Sequence, residues 1–390
     1  MPKTPVQIPF VSLSSSLIER RKAVVHFQYF LRSMSYKLPA SIKRIPKTNM
    51  SHTRMPADVA GPLVTEKPKT LRQMLQETTT ASPSVPALVS MYQSAARFSN
   101  RTSASKTGDF LTWTYQELDE KAEMVASSMF ARGLRPGMRL AVCLPNGVEW
   151  ALLFRASVKM GAIFVPLDER AVPRKDEMHH YLEVVKPSAL FIASEANART
   201  LLKENLRDLD TIPMKVILEP AQRPLTGWGD FDDLLAKESG ANILSSPHHS
   251  VSIVLGADYC FSDSLGSNYS HKSASQRTES EMDAILYICF TSGSSGLPKA
   301  CPLSNKNSWA QAIAGKGSTW ATAVAGSECN PRDRKRLIVS HAPPSHSMGI
   351  RNMIGAWING ATVVVPSPVF EATTTLRAIN EMKCTHMSGE

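Results

Sequence analysis

The fold of this chain is decided by the stretch Ala284-Ile285-Leu286-Tyr287-Ile288-Cys289-Phe290, continued by Thr291-Ser292-Gly293-Ser294-Ser295-Gly296-Leu297-Pro298-Lys299. Its continuous apolar run, bounded by turn residues, predicts a buried strand. A helix is predicted next, over Leu303 to Ala312, with Ser304 as its N-cap. A loop rich in glycine and serine between a strand and a helix is typical of phosphate binding. Backbone N–H groups and hydroxyls converge there on the anion, and a lysine adds charge.

The spacing of this loop excludes one kind of phosphate site. A Walker A loop requires Gly, four residues, and then Gly-Lys-Ser/Thr. Here Gly293 and Gly296 are separated by two residues, and Ala300 follows Lys299. The run from Phe290 to Lys299 resembles instead the ATP-binding signature of the adenylate-forming family, which includes acyl-CoA synthetases, luciferases and peptide-synthetase adenylation domains. The alternative is a Ser/Gly-rich surface turn, which would not explain the order of strand, loop, Pro-Lys and helix.

Further segments resemble the same family in the same order along the chain. Leu111 to Leu118 is similar to its first core segment, and Lys159 to Asp168 resembles its second. Downstream, Pro343 to Gly349 resembles the segment in which a His or aromatic residue lies beside the acyl substrate and the adenylate. His346 is the residue expected in that role, and its alternative is a hydrogen-bonded loop histidine. The resemblance covers roughly residues 70–390.

The resemblance implies a set of site residues. Those expected to bind the nucleotide are Thr291, Ser292, Gly293, Ser294, Ser295, Gly296, Leu297, Pro298 and Lys299, and the two expected to be catalytic are Lys299 and His346. Two positions depart from the family pattern. Ala300 replaces the usual glycine after the lysine, and Asn305 stands where many members have histidine. Neither removes a phosphate donor, so we expect ATP affinity to be altered rather than lost.

The activity implied by the resemblance is the activation of a carboxylic acid. The carboxylate attacks the α-phosphate of Mg-ATP, which gives an acyl-adenylate and pyrophosphate, and a thiol then takes the acyl group. Coenzyme A is the expected acceptor, and a carrier-protein thiol is the alternative. Beyond the Mg²⁺ that accompanies ATP, no metal site is expected, because the adjacent pairs His179-His180 and His248-His249 lack ligand spacing.

The end of the chain departs most from the family. After Gly349 it holds none of the segments that the family places later: a Tyr-Gly-x-Thr-Glu segment, a Thr-Gly-Asp segment, and a small C-terminal domain with a catalytic lysine. The fold is therefore expected to be an N-terminal domain truncated before the C-terminal domain. The alternative to a ligase is a truncated, non-catalytic paralogue or a nucleotide-binding remnant. An incomplete sheet would leave an unpaired edge through which the chain could associate.

Composition and charge bear on nucleic-acid binding, membrane insertion and the redox state of the cysteines. The net charge is +10, but residues 1–57 hold ten Lys or Arg and one acid, Glu19, so the rest of the chain is nearly neutral. This segment has no interleaved aromatic and basic residues, so nucleic acid is not an expected partner. No apolar run reaches the roughly 18 residues of a transmembrane helix. Six cysteines without a Cys-x-x-Cys pair predict reduced thiols in an intracellular protein.

The basic leader leaves the compartment and the start of translation open. Residues 16–36 could form a helix that fits a mitochondrial presequence. The expected compartment is the cytoplasm, and the mitochondrion or another organelle is the alternative. The segment could also be a disordered basic leader, or lie upstream of a true start at Met50 or Met55.

Strands alternating with helices predict an α/β fold of layered, mainly parallel sheets with flanking helices. The predicted organisation is a basic disordered leader (1–69), a first α/β subdomain (70–239), a Ser-rich mobile connection (240–282) and an incomplete phosphate-loop subdomain (283–390). Within the first subdomain, residues 91–108 are expected to be a loop, Thr114 to Glu117 form a capping box, and Asn146-Gly147 is expected to be a turn. Helices are predicted over Lys175 to Val185 and Ala372 to Met382, and a strand is predicted over Ala189 to Ile192.

Overall fold

The computed structural model describes residues 66–94, 98, 110–219, 225–235, 280–291, 296–317 and 336–387. The helices are α1 (Leu71–Ala81), α2 (Tyr115–Ala131), α3 (Val148–Met160), α4 (Lys175–Val185), α5 (Glu195–Lys203), α6 (Asp232–Leu235), α7 (Asn305–Gly317), α8 (Ser347–Ile358) and α9 (Ala372–Met382). The strands are β1 (Pro86–Ser94), β2 (Phe110–Thr114), β3 (Arg139–Cys143), β4 (Ile163–Pro166), β5 (Ala189–Ile192), β6 (Met214–Ile217), β7 (Gly229–Asp230), β8 (Ile285–Thr291), β9 (Lys299–Ser304), β10 (Leu337–Val339), β11 (Thr362–Val365) and β12 (His386–Met387).

Within the described residues, the larger of two sheets has seven strands in the order β7-β6-β5-β3-β4-β8-β9. Its neighbouring strands are parallel except for β8 and β9, which form an antiparallel hairpin. Along β3, Leu140 and Val142 contribute to one hydrophobic core, whereas Ala141 and Cys143 contribute to another. The central strand is therefore buried on both faces, as expected of a parallel sheet covered by helices on both sides.

In the same part of the chain that the structure describes, the smaller sheet has five strands in the order β12-β10-β11-β1-β2; β1 and β2 are antiparallel and the other neighbours are parallel. Buried hydrogen bonds hold α8 and the start of α2 against this sheet. Trp357 donates its indole N–H to the carbonyl of Ala87 at 3.1 Å, and the Tyr115 hydroxyl donates to the carbonyl of Ala361 at 2.7 Å. Burial raises the pKa of Tyr115, so the hydroxyl keeps its proton and remains a donor.

Much of the predicted architecture is confirmed. The fold is α/β with two mainly parallel sheets, and α4, β5 and α9 have the predicted bounds. The capping box is also present. The Glu117 N–H donates to Thr114 Oγ1 at 3.2 Å, and the Thr114 N–H donates to Glu117 Oε2 at 2.8 Å.

Other predictions need correction. β1 continues through residues 91–94, where a loop was expected, because its pairing with β2 extends as far as Ser94, which lies opposite Phe110. Residues 299–304 form β9, so Leu303 belongs to a strand and the helix begins only at Asn305. Pro302 obscured this strand in the sequence, yet proline is tolerated on an edge strand, where one side of the backbone needs no ladder hydrogen bond.

Some predictions fall outside the described residues, among them the leader up to residue 65 and residues 240–279 of the predicted connection. Strands from both flanking segments, 70–239 and 283–390, contribute to each of the two sheets. The domain boundaries themselves stay a prediction. Among the helices that the structure describes, none is both long and apolar enough to cross a membrane.

Candidate active site

The predicted phosphate loop lies at the tip of the β8–β9 hairpin. Thr291 ends β8, Lys299 begins β9, and the two residues are paired directly across the hairpin. Thr291 Oγ1 donates to the Lys299 carbonyl at 3.4 Å. Ser292, Gly293, Ser294 and Ser295 lie outside the described residues. The predicted order of strand, loop and helix is therefore corrected to strand, loop, strand and helix.

The described part of the loop is exposed and cationic. Gly296 has φ +150°, and no atom lies within 4 Å of a Cβ built on it. Glycine is thus required here by backbone conformation rather than by space. The side chains of Leu297 and Lys299 are exposed. Lys299 forms no ion pair with another residue in the described part of the chain, which leaves its charge available to an anion.

His180 on α4 contacts the loop just before its lysine. Its Nε2 lies 2.7 Å from the carbonyl oxygen of Pro298. Because a carbonyl only accepts, Nε2 carries the hydrogen and donates it. The neighbouring Tyr181 ring lies 4.4 Å from the ring of Phe290, near the end of β8. Helix α4 therefore contacts both sides of the hairpin tip. The sequence had offered His180 only as half of an adjacent histidine pair, which gave no sign of this contact.

The loop emerges at the carboxyl edge of the large sheet. β3, β4 and β8 are parallel neighbours, so their carboxyl ends lie along one edge. With strands about 4.8 Å apart, the loop after β8 begins about 10 Å from the turn that follows β3. In open α/β sheets, ligands bind outside this edge.

Asn146, in the turn after β3, connects this edge to the smaller sheet. It is almost completely buried. Its amide Nδ2 donates to the carbonyl of Ala342 at 3.0 Å, and its backbone N–H donates to the carbonyl of Pro368 at 3.0 Å. Ala342 follows β10, and Pro368 follows β11. The carboxyl ends of both sheets are thus joined through one residue, which sequence reasoning had placed only in an Asn-Gly turn.

His346 lies in the segment that follows β10 and caps helix α8. The Met348 N–H donates to His346 Nδ1 at 3.3 Å, and the His346 N–H donates to the carbonyl of Pro343 at 3.0 Å. The side chain is exposed. Because Nδ1 accepts, the ring hydrogen is on Nε2, so Nε2 is the donor atom of this ring. Through Asn146, the His346 segment is held at the same edge from which the phosphate loop emerges.

The structure shows where the two residues that depart from the family pattern, Ala300 and Asn305, lie and what they contact. Ala300 occupies a regular strand position opposite Phe290. Asn305 follows the last residue of the six-residue strand β9, about 20 Å from Lys299. Its Oδ1 accepts from the N–H of Leu71 at 2.8 Å, and its Nδ2 donates to the carbonyl of Glu281 at 2.9 Å. Asn305 therefore joins α1 to the hairpin, and its side chain is used by the fold.

Titratable groups near this edge include His341, which follows β10 by two residues. Burial lowers the pKa of His341. Among the described residues, no group of three His, Cys, Asp or Glu side chains could hold a metal ion.

The fold and the loop define a class of protein: an α/β chain with a glycine-rich hairpin loop and an exposed lysine at the carboxyl edge of a parallel sheet. Residues 91–389 match the family described as AMP-binding enzyme. The chain belongs to this family, which confirms the resemblance seen in the sequence.

Named relatives agree with this assignment. The chain is 26% identical over 283 residues to the acyl-CoA ligase sidI of Aspergillus fumigatus, and 28% identical over 284 residues to the medium-chain fatty-acid–CoA ligase of Escherichia coli. Each alignment covers 71% of this chain and 41% of the relative, so the chain spans about two fifths of their length. A putative long-chain-fatty-acid CoA ligase structure from Rhodopseudomonas palustris shares the fold with a TM-score of 0.55, at 16% identity, covering 83% of this chain and 63% of that one.

Proposed function

We propose that this chain provides the nucleotide-binding part of an ATP-dependent acid–thiol ligase. Such an enzyme activates a carboxylic acid as an acyl-adenylate and passes the acyl group to a thiol, coenzyme A. The observation that carries the proposal is the hairpin loop between Thr291 and Lys299, with its exposed lysine at the carboxyl edge of a parallel sheet. The named relatives, which are acyl-CoA ligases, support it.

In this reaction the bonds form and break between the substrates, and the protein contributes little covalent chemistry. A carboxylate oxygen attacks the α-phosphorus, the bond to pyrophosphate breaks, and a mixed anhydride forms. A thiol sulfur then attacks the acyl carbon, and AMP leaves. Positioning of the reactants and neutralisation of phosphate charge are the expected contributions of the chain. In this proposal Thr291, the loop N–H groups and Lys299 hold the β- and γ-phosphates, and His346 lies beside the acyl group.

Mg²⁺ is implied by the family. The side chains of the loop indicate whether this part of the chain could bind the ion directly or only together with ATP. The described part of the loop offers the hydroxyl of Thr291 and the ammonium of Lys299, and no carboxylate. Mg²⁺ prefers carboxylate and phosphate oxygens. These residues therefore fit the phosphates rather than a bare ion. Mg²⁺ supplies charge neutralisation when it enters with ATP, and we assign it no ligand from this chain.

The test is ATP–pyrophosphate exchange, which reports adenylation before any thiol is needed. The chain and the longest native form of the protein are assayed with a panel of short-, medium- and long-chain carboxylic acids. Lys299→Ala combined with Gly293→Ala should abolish exchange. The matched control is Lys306→Ala, which removes an exposed lysine beyond the other end of β9. Unchanged exchange in the double variant would contradict the loop assignment.

The same experiment distinguishes a ligase from the alternative, a non-catalytic nucleotide-binding remnant. A chain that binds a fluorescent ATP analogue in a Lys299-dependent manner, but exchanges no pyrophosphate with any acid, would favour a nucleotide-binding remnant. Where exchange is found, the thiol is identified by adding either coenzyme A or a phosphopantetheinylated carrier protein. The acylated product is then detected by mass.

A further inference from the structure

Two cysteines lie opposite each other at the base of the phosphate-loop hairpin. Cys289 in β8 and Cys301 in β9 are direct partners in the antiparallel register. Cys289 lies two residues before Thr291, and Cys301 lies two residues after Lys299. Both thiols are free in the structure. A bond between them would close a ring that contains the entire loop.

The register places these cysteines within reach of a disulfide. Directly opposed residues of an antiparallel pair point to the same face of the sheet, with Cα atoms about 4.5 or 5.5 Å apart. Disulfides span Cα separations of about 4.4–6.8 Å. β9 is the outer strand of the sheet, so it can adjust without disturbing a further neighbour.

The two thiols differ in accessibility, which orders their chemistry. Cys301 is exposed, whereas only 3% of Cys289 is exposed. Burial, with a further contribution from the neighbouring Cys301, raises the pKa of the Cys289 thiol to about 12. Cys301 is therefore the thiol that meets an external reagent, and Cys289 reacts only with a partner already at its side.

We propose that Cys289 and Cys301 form a reversible disulfide by exchange with a low-molecular-weight disulfide of the glutathione class. The Cys301 thiolate attacks one sulfur of glutathione disulfide, a Cys301–glutathione bond forms, and one glutathione thiolate leaves. Cys289 then gives up its proton to solvent and attacks Cys301 Sγ. The Cys301–glutathione bond breaks, the Cys289–Cys301 bond forms, and a second glutathione leaves. Two protein thiols are oxidised, and one glutathione disulfide is reduced to two thiols.

The test uses the full chain in buffers that span a range of glutathione redox ratios. Samples are quenched with acid, the remaining thiols are alkylated, and the protein is digested with trypsin. Cleavage after Arg277, Lys299 and Lys306 places Cys289 and Cys301 on different peptides, 278–299 and 300–306. The expected product is a disulfide that links these two peptides, appears as the buffer becomes oxidising and disappears on reduction. Cys143 and Cys384, which are buried and half-buried, serve as internal controls and should remain alkylatable.

Two variants make the order of steps visible. Cys289→Ser should accumulate a stable glutathione adduct on Cys301, and Cys301→Ser should leave Cys289 unmodified. Three results obtained with the chain without substitutions would overturn the proposal, and none of them depends on how the two variants fold. These are a persistent glutathione adduct on Cys301 without the linked peptides, a disulfide of either cysteine with a different partner, and no modification of Cys301 at all.

Discussion

The imidazole Nε2 of His180 donates a hydrogen bond to the carbonyl of Pro298, at 2.7 Å. Pro298 immediately precedes Lys299, so this contact fixes the backbone from which the loop's cation projects. It joins α4 to the loop across 118 residues of sequence. The outgoing end of the loop is thereby held by a helix, while its incoming end continues the paired strand β8.

Removing this contact should loosen the loop. His180→Ala is expected to lower the free energy of unfolding by about 1 kcal/mol, the net value of a typical hydrogen bond. Under the proposed function, the same loss weakens nucleotide binding about 5-fold, because the loop must be ordered on binding. Chemical unfolding and titration with an ATP analogue measure the two effects. His180→Gln, which keeps an N–H donor, should recover part of both.

The neighbouring histidine provides the matched control. His179 lies on the same helix and is exposed, with its Nδ1 3.4 Å from Asp208 Oδ2. An ion pair at the surface contributes little. His179→Ala should therefore leave nucleotide binding unchanged. Equal effects of the two alanine variants on binding would show that the Pro298 contact has no special role.

Asn305 should prove to be a structural residue. Asn305→Ala leaves the N–H of Leu71 and the carbonyl of Glu281 without this partner in a buried site, which is expected to cost about 2–3 kcal/mol. Asn305→His, which restores the residue that many family members carry, should also destabilise the fold, because one ring cannot reproduce both amide contacts. Thermal unfolding measures both variants. Lys306→Ala, a substitution at an exposed position of the same helix, is the control and should cost less than half as much. A stable Asn305→His variant with altered ATP affinity would contradict this assignment.

The sequence predicted those parts of the fold that depend on local pattern. Lys175–Val185 and Ala372–Met382 have apolar residues at helical spacing, and Ala189–Ile192 is a short apolar run, so each element was located correctly. β9 was missed because its residues alternate little and include a proline. Its conformation is imposed by pairing with β8, a tertiary effect that overrides local preference.

Parts of the candidate site were likewise not predicted, because they depend on tertiary pairing in the way that β9 does. The loop residues were proposed from the sequence because glycine, serine and lysine at fixed spacing are typical of phosphate binding, and their role stays a prediction. The His180 contact, the Asn146 bridge and the opposition of Cys289 and Cys301 each join segments distant along the chain or depend on register. Register follows from strand pairing, and the twelve-residue separation of the two cysteines suggested none of it.

Acidification should destabilise the fold through two half-buried histidines, His341 after β10 and His386 in β12. Burial lowers the pKa of His341, and burial together with the charge of Arg336 lowers the pKa of His386. An unfolded histidine titrates near pH 6.5. Below that pH the unfolded state binds more protons than the folded state. The free energy of unfolding therefore falls as the pH drops from about 6.5 towards the pKa values of the two histidines in the folded state. Above about pH 6.5 these two groups cause no such loss. Urea unfolding between pH 5 and pH 8 measures this slope. The double variant His341→Asn, His386→Asn should flatten it, and an unchanged slope would assign the loss to other groups.

Two glycines of helix α8 should respond in opposite directions to the same substitution. A Cβ on Gly349 would lie 2.2 Å from the carbonyl oxygen of Pro343, whereas a Cβ on Gly355 would meet no atom within 4 Å. Gly349→Ala must displace the backbone that accepts the N–H of His346, so we expect a loss of about 3 kcal/mol or more. Gly355→Ala, in the helix interior, should stabilise by about 0.5–1 kcal/mol. Thermal unfolding compares them. Equal effects, or a tolerated Gly349→Ala, would show that the Pro343 turn is free to move and does not fix His346.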